Sequence, residues 1–167
     1  MLYESKGAAM DKENRIVSFL NSNNGYISTS DFLKMDITKP SIQKYIDSGL
    51  IERVSHGVYM DTKKFKDDYF ILQKKYPFAI LSYNTALHIL NLTNRVPFEI
   101  DITVPRGKTV RGNYNVHYVT ERYYSIGIIE TESPFGNIVK IYNAERCICD
   151  MIRGEEFDLE LQNRILD

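Results

Sequence analysis

The sequence predicts an α+β protein: an N-terminal winged helix-turn-helix followed by a second α+β domain with a small, mainly antiparallel sheet. Three observations carry that prediction. Two short stretches with helical apolar spacing, Asp31–Met35 and Pro40–Ile46, flank the turn Asp36-Ile37-Thr38-Lys39. Two strand-like runs, Leu50–Val54 and Val58–Met60, come next around the Gly-centred turn Ser55-His56-Gly57. Beyond Pro77, short alternating runs are punctuated by Gly, Pro and Asn, and an amphipathic helix closes the series.

Met1–Met10 has no periodicity and is assigned no function. Asp11 is suited to cap a helix running to about Asn21, with Ile16, Val17, Phe19 and Leu20 as its apolar face. Asn21-Ser22-Asn23-Asn24-Gly25 is a turn cluster, and Tyr26-Ile27-Ser28 is a short strand that joins the hairpin. Ser30 is placed to cap the next helix, which contributes Phe32, Leu33 and Met35. Pro40 sits in the first turn of the following helix, where its missing N–H costs nothing. Ile42, Tyr45 and Ile46 then form one apolar stripe, and Gly49 stands where a helix commonly reverses. Lys63–Tyr76 mixes charges with Phe65, Tyr69, Phe70 and Leu72, the pattern of a connecting helix that Pro77 ends. The first domain is therefore drawn as 11–76 and the second as 77–167.

In the second domain Ser82 caps a short helix carrying Ala86, Leu87, Ile89 and Leu90. Phe98–Val104 alternates, with Phe98, Ile100, Ile102 and Val104 on one face and Glu99, Asp101 and Thr103 on the other, a half-buried strand. Asn113–Val119, Gly127–Thr131 and Asn137–Tyr142 are further strands, with a hairpin-like turn at Pro134-Phe135-Gly136-Asn137. Asn143 caps a helix whose apolar face is Ala144, Cys147, Ile148, Met151 and Ile152, closed by Gly154. A last amphipathic helix is expected from about Asp158, and the chain ends without a stop signal, as though further helices followed.

Composition narrows the function classes. The 167 residues are 43% hydrophobic, enough for a real core, and the formal charge is −1. That excludes a histone-like binder driven by bulk charge, so any nucleic-acid contact must come from a local patch. Pro105–Arg122 carries Arg106, Lys108, Arg111 and Arg122 against Glu121 alone, whereas Ile126–Asp167 is strongly acidic and residues 1–60 balance. No secretory leader and no apolar run of membrane-spanning length is present, which points to the cytoplasm and no membrane partner. Cys147 and Cys149, two apart on a helix, do not face each other.

In a helix-turn-helix the second helix presents its N-terminal half to base edges in the major groove. With Ile42, Tyr45 and Ile46 turned inward, Thr38, Lys39, Ser41, Gln43, Lys44 and Asp47 face out. Gln43 suits adenine, Ser41 several bases, and Lys39 and Lys44 guanine or phosphate. Alone, such a face is an ordinary solvated surface; the turn before it and the hairpin after it favour DNA. Arg53 and His56 flank the hairpin turn, where they reach a backbone or minor groove, or simply form a soluble turn. Arg106, Lys108 and Arg111 form a basic loop without P-loop spacing; contact with the DNA backbone is the preferred reading, ahead of a merely solvated loop.

Enzyme chemistry finds little support. Glu99 and Asp101 with Lys108 loosely resemble the acidic pair and lysine of metal-dependent nucleases, without a further well-spaced acid. His56, His88 and His117 lie in different elements without zinc-site spacing, and Cys147 suits a core position better than a nucleophile's. No Gly-x-Ser-x-Gly, Walker or dinucleotide pattern occurs. No catalytic residue, metal or cofactor is expected.

The motifs, taken in order, resemble the AbiEi family of antitoxins. Gly49–Tyr59 is similar to that family's wing, Leu81-Ser82-Tyr83-Asn84-Thr85-Ala86-Leu87-His88 to the serine-led helix of its second domain, and Ile102–Gly107 and Tyr142–Asp150 complete the series. The resemblance covers about Asp11–Arg153. It implies a cytoplasmic prokaryotic autorepressor of a type IV toxin–antitoxin, abortive-infection operon, binding inverted repeats in double-stranded promoter DNA. It also implies opposition to a nucleotidyltransferase-like toxin without an obligatory stable complex. Family members continue into further helices, and this chain ends sooner. The alternative is a stand-alone winged-helix regulator whose second domain senses a small molecule.

Overall fold

The computed structural model describes the backbone of residues 2–154 and the side chains of residues 10–154. Among these residues the protein is α+β, with seven helices, a three-stranded antiparallel sheet and a five-stranded mixed sheet. Two units divide between Lys66 and Asp67, earlier in the chain than the boundary expected at Pro77.

In the first unit, α1 (Leu2–Ser22) runs through Asp11 without interruption, so Asp11 caps nothing. Its Ile16 and Leu20, four residues apart, are buried. After a turn comes β1 (Tyr26–Ser28), and α2 (Thr29–Lys34) starts directly from it. The cap is therefore Ser28 rather than Ser30, which already lies inside the helix. Ser28 Oγ accepts from the Asp31 amide at 3.2 Å, and the Asp31 carboxylate accepts from the Ser28 amide at 3.1 Å, a reciprocal capping box. Burial works to raise the Asp31 carboxyl, but its bonds to Ser28 and Lys34 outweigh this and hold it below the usual aspartate range.

Thr38 is the N-cap of α3 (Lys39–Asp47), with Pro40 in the first turn. Gly49 comes after it at φ 73°, a left-handed conformation that glycine adopts without steric cost. β2 (Ile51–Ser55) and β3 (Val58–Asp61) pair antiparallel, and the register slips between Arg53 and Ser55, leaving Val54 as a bulge. Gly57 turns the hairpin at φ 71°, where a Cβ would stand 3.3 Å from Thr29 Oγ1. The sheet order is β1-β3-β2. Ile16, Leu20, Ile27, Phe32, Ile37, Ile42, Ile51 and Tyr59 form the core of this unit, while Leu33 is exposed.

The second unit opens with α4 (Asp68–Lys75), shorter than the helix expected over Lys63–Tyr76 because Asp67 caps it. Its hydrogen bonds attach it to the larger sheet. Gln73 donates to the carbonyls of Ala79 and Lys140 and accepts from the Lys140 amide. After α4 come β4 (Ile80–Leu81), α5 (Tyr83–Ile89), β5 (Ile100–Pro105), β6 (Tyr114–Val119) and α6 (Glu121–Tyr124). β7 (Ile128–Glu132), β8 (Ile138–Tyr142) and α7 (Ala144–Arg153) complete the unit. β4 and α6 are too short for periodicity to reveal them.

The strand order is β6-β5-β4-β8-β7. β6/β5 and β4/β8 are parallel, whereas β4/β5 and β7/β8 are antiparallel, so the sheet is mixed rather than mainly antiparallel. The reason is β4, which inserts between strands that come much later in the chain. β5 is consequently interior, and Asp101 and Thr103 are buried alongside Ile102 and Val104, correcting the half-buried strand expected from alternation. Phe98 lies before the strand and is fully exposed. Where β4 ends, α5 continues its role: the Ser82 amide donates to Asp101 O, and Thr85 Oγ1 accepts from the Asp101 amide at 2.8 Å. Asn143 caps α7 by accepting from the Arg146 amide, and Gly154 ends it, as expected. The amphipathic helix expected from about Asp158 lies outside the described residues.

Asp67 ties this unit together. Its wholly buried carboxylate accepts from the Phe70 amide at 3.1 Å, from Ser133 Oγ at 2.6 Å and from Asn137 Nδ2 at 2.8 Å. One side chain thus starts α4 and holds the turn leading into β8. Asp67→Ala, which strands these donors, is expected to lower stability by about 3 kcal/mol or more in chemical denaturation. Ser28→Ala is expected to cost about 1 kcal/mol and Ser30→Ala close to nothing, which distinguishes the two candidate caps. Because the folded Asp31 value is depressed, its contribution is fully present above the ordinary aspartate range. It is lost as the pH falls through the lower folded-state value, so the Ser28→Ala cost should shrink in acid.

Candidate nucleic-acid interface

The exposed face of α3 carries Lys39, Pro40, Gln43, Lys44 and Asp47, while Ile42 is buried and Tyr45 and Ile46 are half-buried. Four-residue spacing places Lys39, Gln43 and Asp47 in one row. Gln43 Nε2 donates to Asp47 Oδ1 at 2.8 Å. Thr38 is exposed, and its hydroxyl lies 3.0 Å from that of Ser41. Ser41 is half-buried, so it contributes less to the outer face than spacing alone implies. The first turn of α3 has no acid, and Lys39 adds a cation where the helix dipole is already positive.

At the hairpin the fold brings two candidates together. Arg53, exposed on β2, places Nη2 3.1 Å from His56 Nδ1 and donates from Nε to the Ser55 carbonyl at 3.4 Å. The bulge at Val54 lies between Arg53 and the turn that carries His56. The guanidinium is thereby braced on the turn rather than swinging freely.

Arg106, Lys108 and Arg111 stand on a loop of the second unit, between β5 and β6, and all three are exposed. The structure adds neighbours that sequence patterning missed. Tyr76 Oη accepts from the Arg111 amide at 3.0 Å and donates to the Arg111 carbonyl at 3.1 Å. Lys75 Nζ lies 4.9 Å from the centre of the Tyr76 ring, and Lys108 Nζ lies 5.4 Å from that of Phe78. The two rings meet edge-on at 5.9 Å. Burial works to raise the Tyr76 hydroxyl, but the Arg111 backbone and Lys75 bring it below the usual tyrosine range. Lys75, Lys108 and Arg111 thus gather around an aromatic pair. The one sequence signal was the Lys74-Lys75-Tyr76 run, whose partner loop lies far along the chain.

A second grouping comes from the parallel register of β5 and β6, which sets Asp101 beside Asn115 and Thr103 beside His117. Asp101 Oδ1 accepts from Asn115 Nδ2 at 2.7 Å and lies 3.3 Å from His117 Nε2. The His117 ring stacks on Tyr83 at 3.6 Å, with the planes 10° apart. Glu99 precedes β5 and Asp101 is buried, so the exposed acidic pair anticipated on this strand does not form. Among the described residues no group of three His, Cys, Asp or Glu side chains could hold a metal ion. Among the same residues no helix is long and apolar enough to cross a membrane.

Compared with protein-family models and with curated protein sequences, the chain matches none.

Cys147 is buried against the core, and that burial pushes its thiol up to about 12, while Cys149 is exposed. A thiol reagent near pH 8 should therefore modify Cys149 in the folded protein and leave Cys147 untouched, both reacting after denaturation. Rapid labelling of Cys147 in the native protein, read by peptide mass mapping, would contradict its placement.

Proposed function

We propose that the first unit is a winged helix-turn-helix that binds double-stranded promoter DNA, with α3 as the base-reading helix and the β2–β3 hairpin as the wing. The supporting observation is the outer face of α3, which is polar and cationic in its first half and held by a buried Ile42 on the other side. Element order and the β1-β3-β2 sheet accord with that architecture. Lys39 and Lys44 make phosphate or guanine contacts, Gln43 reads a base, and Arg53 with His56 reaches the flanking backbone or minor groove. In the second unit Arg106, Lys108 and Arg111 add backbone contacts.

Within that frame the protein is an antitoxin of the AbiEi type and the autorepressor of its own operon, non-enzymatic and cytoplasmic. Its functional counterpart is a nucleotidyltransferase-like toxin, opposed without an obligatory stable complex. The resemblance of the wing, the serine-led helix and the Tyr142–Asp150 segment supports this identity. A nearly neutral chain suits it when two copies share an inverted repeat, because each needs only a modest footprint.

Mobility shifts with the chain's own promoter test the proposal. The expected result is a preference for promoter over scrambled duplex of at least about a thousandfold at physiological salt, shrinking steeply as salt rises. Lys108→Ala should weaken binding to all sequences alike and lower the salt slope by roughly 1, whereas Gln43→Ala should relax preference at one base position. Equal binding to promoter and scrambled DNA would sink the repressor reading.

A further inference from the structure

We infer that Asp47 is a positioning residue that commits Gln43 to adenine and away from guanine. This rests on α3 being the base-reading helix, as proposed above. The observation is the Gln43–Asp47 hydrogen bond between exposed side chains one helical turn apart. A carboxylate only accepts, so the Gln43 amide must turn its nitrogen toward Asp47 and surrender one of its two N–H groups. What remains for a base is one donor and one acceptor, the second N–H and Oε1.

Adenine presents the complement in the major groove, an acceptor at N7 beside a donor at N6. Guanine presents two acceptors, N7 and O6. A free glutamine amide can meet guanine with both N–H groups; one already bonded to Asp47 cannot, and its Oε1 would face an acceptor. The lock therefore subtracts the guanine option rather than adding a contact.

Asp47 also stands at a costly position. It is the last residue of α3, at the negative end of the helix dipole, where a carboxylate is disfavoured. It lies, moreover, on the face that would approach DNA, where its charge repels phosphate. The Gln43–Asp47 pair adds only about 0.2–0.5 kcal/mol to the helix, against the dipole cost, and general affinity gains nothing from an acid there, whereas orienting Gln43 gives it a use.

The test is selection of binding sites by the full-length protein from a randomised duplex library, followed by titration of single-base variants of the recovered site. The wild type is expected to select an adenine that Gln43→Ala renders neutral, and to prefer it over guanine by roughly tenfold or more. Asp47→Ala should bring guanine within about threefold of adenine at that position alone. Asp47→Glu, which keeps an acceptor-only carboxylate within reach of Gln43, should retain the discrimination. Circular dichroism establishes that each variant remains folded.

Full adenine preference in Asp47→Ala would overturn the inference, as would loss of discrimination in Asp47→Glu. Loss of a selected cytosine in Asp47→Ala would show Asp47 reading a base itself, and also overturns it. If the wild type enriches no sequence at all, the DNA reading fails together with this inference. Enrichment of a site without the Gln43-dependent adenine removes the inference and leaves the DNA reading standing.

Discussion

Phe32 is the side chain around which the first unit closes. It has no exposed surface and meets the Tyr59 ring edge-on at 5.6 Å, joining α2 to the centre strand of the small sheet. Ile16 and Leu20 from α1, Ile42 from α3 and Ile51 from β2 pack into the same core. Burial of a phenylalanine contributes roughly 1.5–3 kcal/mol, a large share of the stability of a unit this small. α3 holds its orientation through Ile42, with Tyr45 and Ile46 at the margin. The chemistry proposed for Lys39, Gln43 and Lys44 thus depends on a core that none of them enters.

The second unit depends on polar groups placed where few would survive unpaired. β4 is two residues long, yet it separates β5 from β8, and side chains supply what so short a strand cannot. Gln73 binds the β8 backbone, Thr85 accepts from Asp101, and Asp67 anchors the turn at Ser133–Asn137. At the first residue of α5, Tyr83 adopts φ 48°, a left-handed conformation that costs an ordinary residue about 1–2 kcal/mol. Stacking on His117 and burial against the core offset that strain. Each bond here weighs more than its surface counterpart because an abandoned partner would stay buried.

Charge is organised locally in a chain that is nearly neutral overall. Several cations are held against rings or turns: Lys75 on Tyr76, Lys108 on Phe78, Arg53 on His56. Such bracing lowers the conformational entropy lost when a long side chain meets an anion. At the other extreme, Arg146 is used for structure, donating to Asp150 and to the carbonyls of Tyr123 and Ile126. Two arginines of equal formal charge therefore do different work, and burial separates them.

Much of the fold was legible in the residues because the signals were local. Pro40, Gly49, Gly57 and Asn143 specify backbone conformations or caps within a few residues of themselves, and the elements they bound fall where expected. The apolar stripe of α3 likewise predicted its exposed face, and with it the main candidate residues. Ser28 against Ser30, the start of α4 at Asp67 and the mixed pairing of the second sheet were not legible. Each depends on which segments meet: a strand ending at Ser28, a carboxylate reaching Ser133 and Asn137, a two-residue strand inserted between distant ones. Propensity and periodicity act over a few residues, whereas these contacts are chosen by closure of a core. Asp101 shows the division most plainly: alternation put it on a strand, and only the neighbouring strands decided that its carboxylate would be buried beside Asn115 and His117.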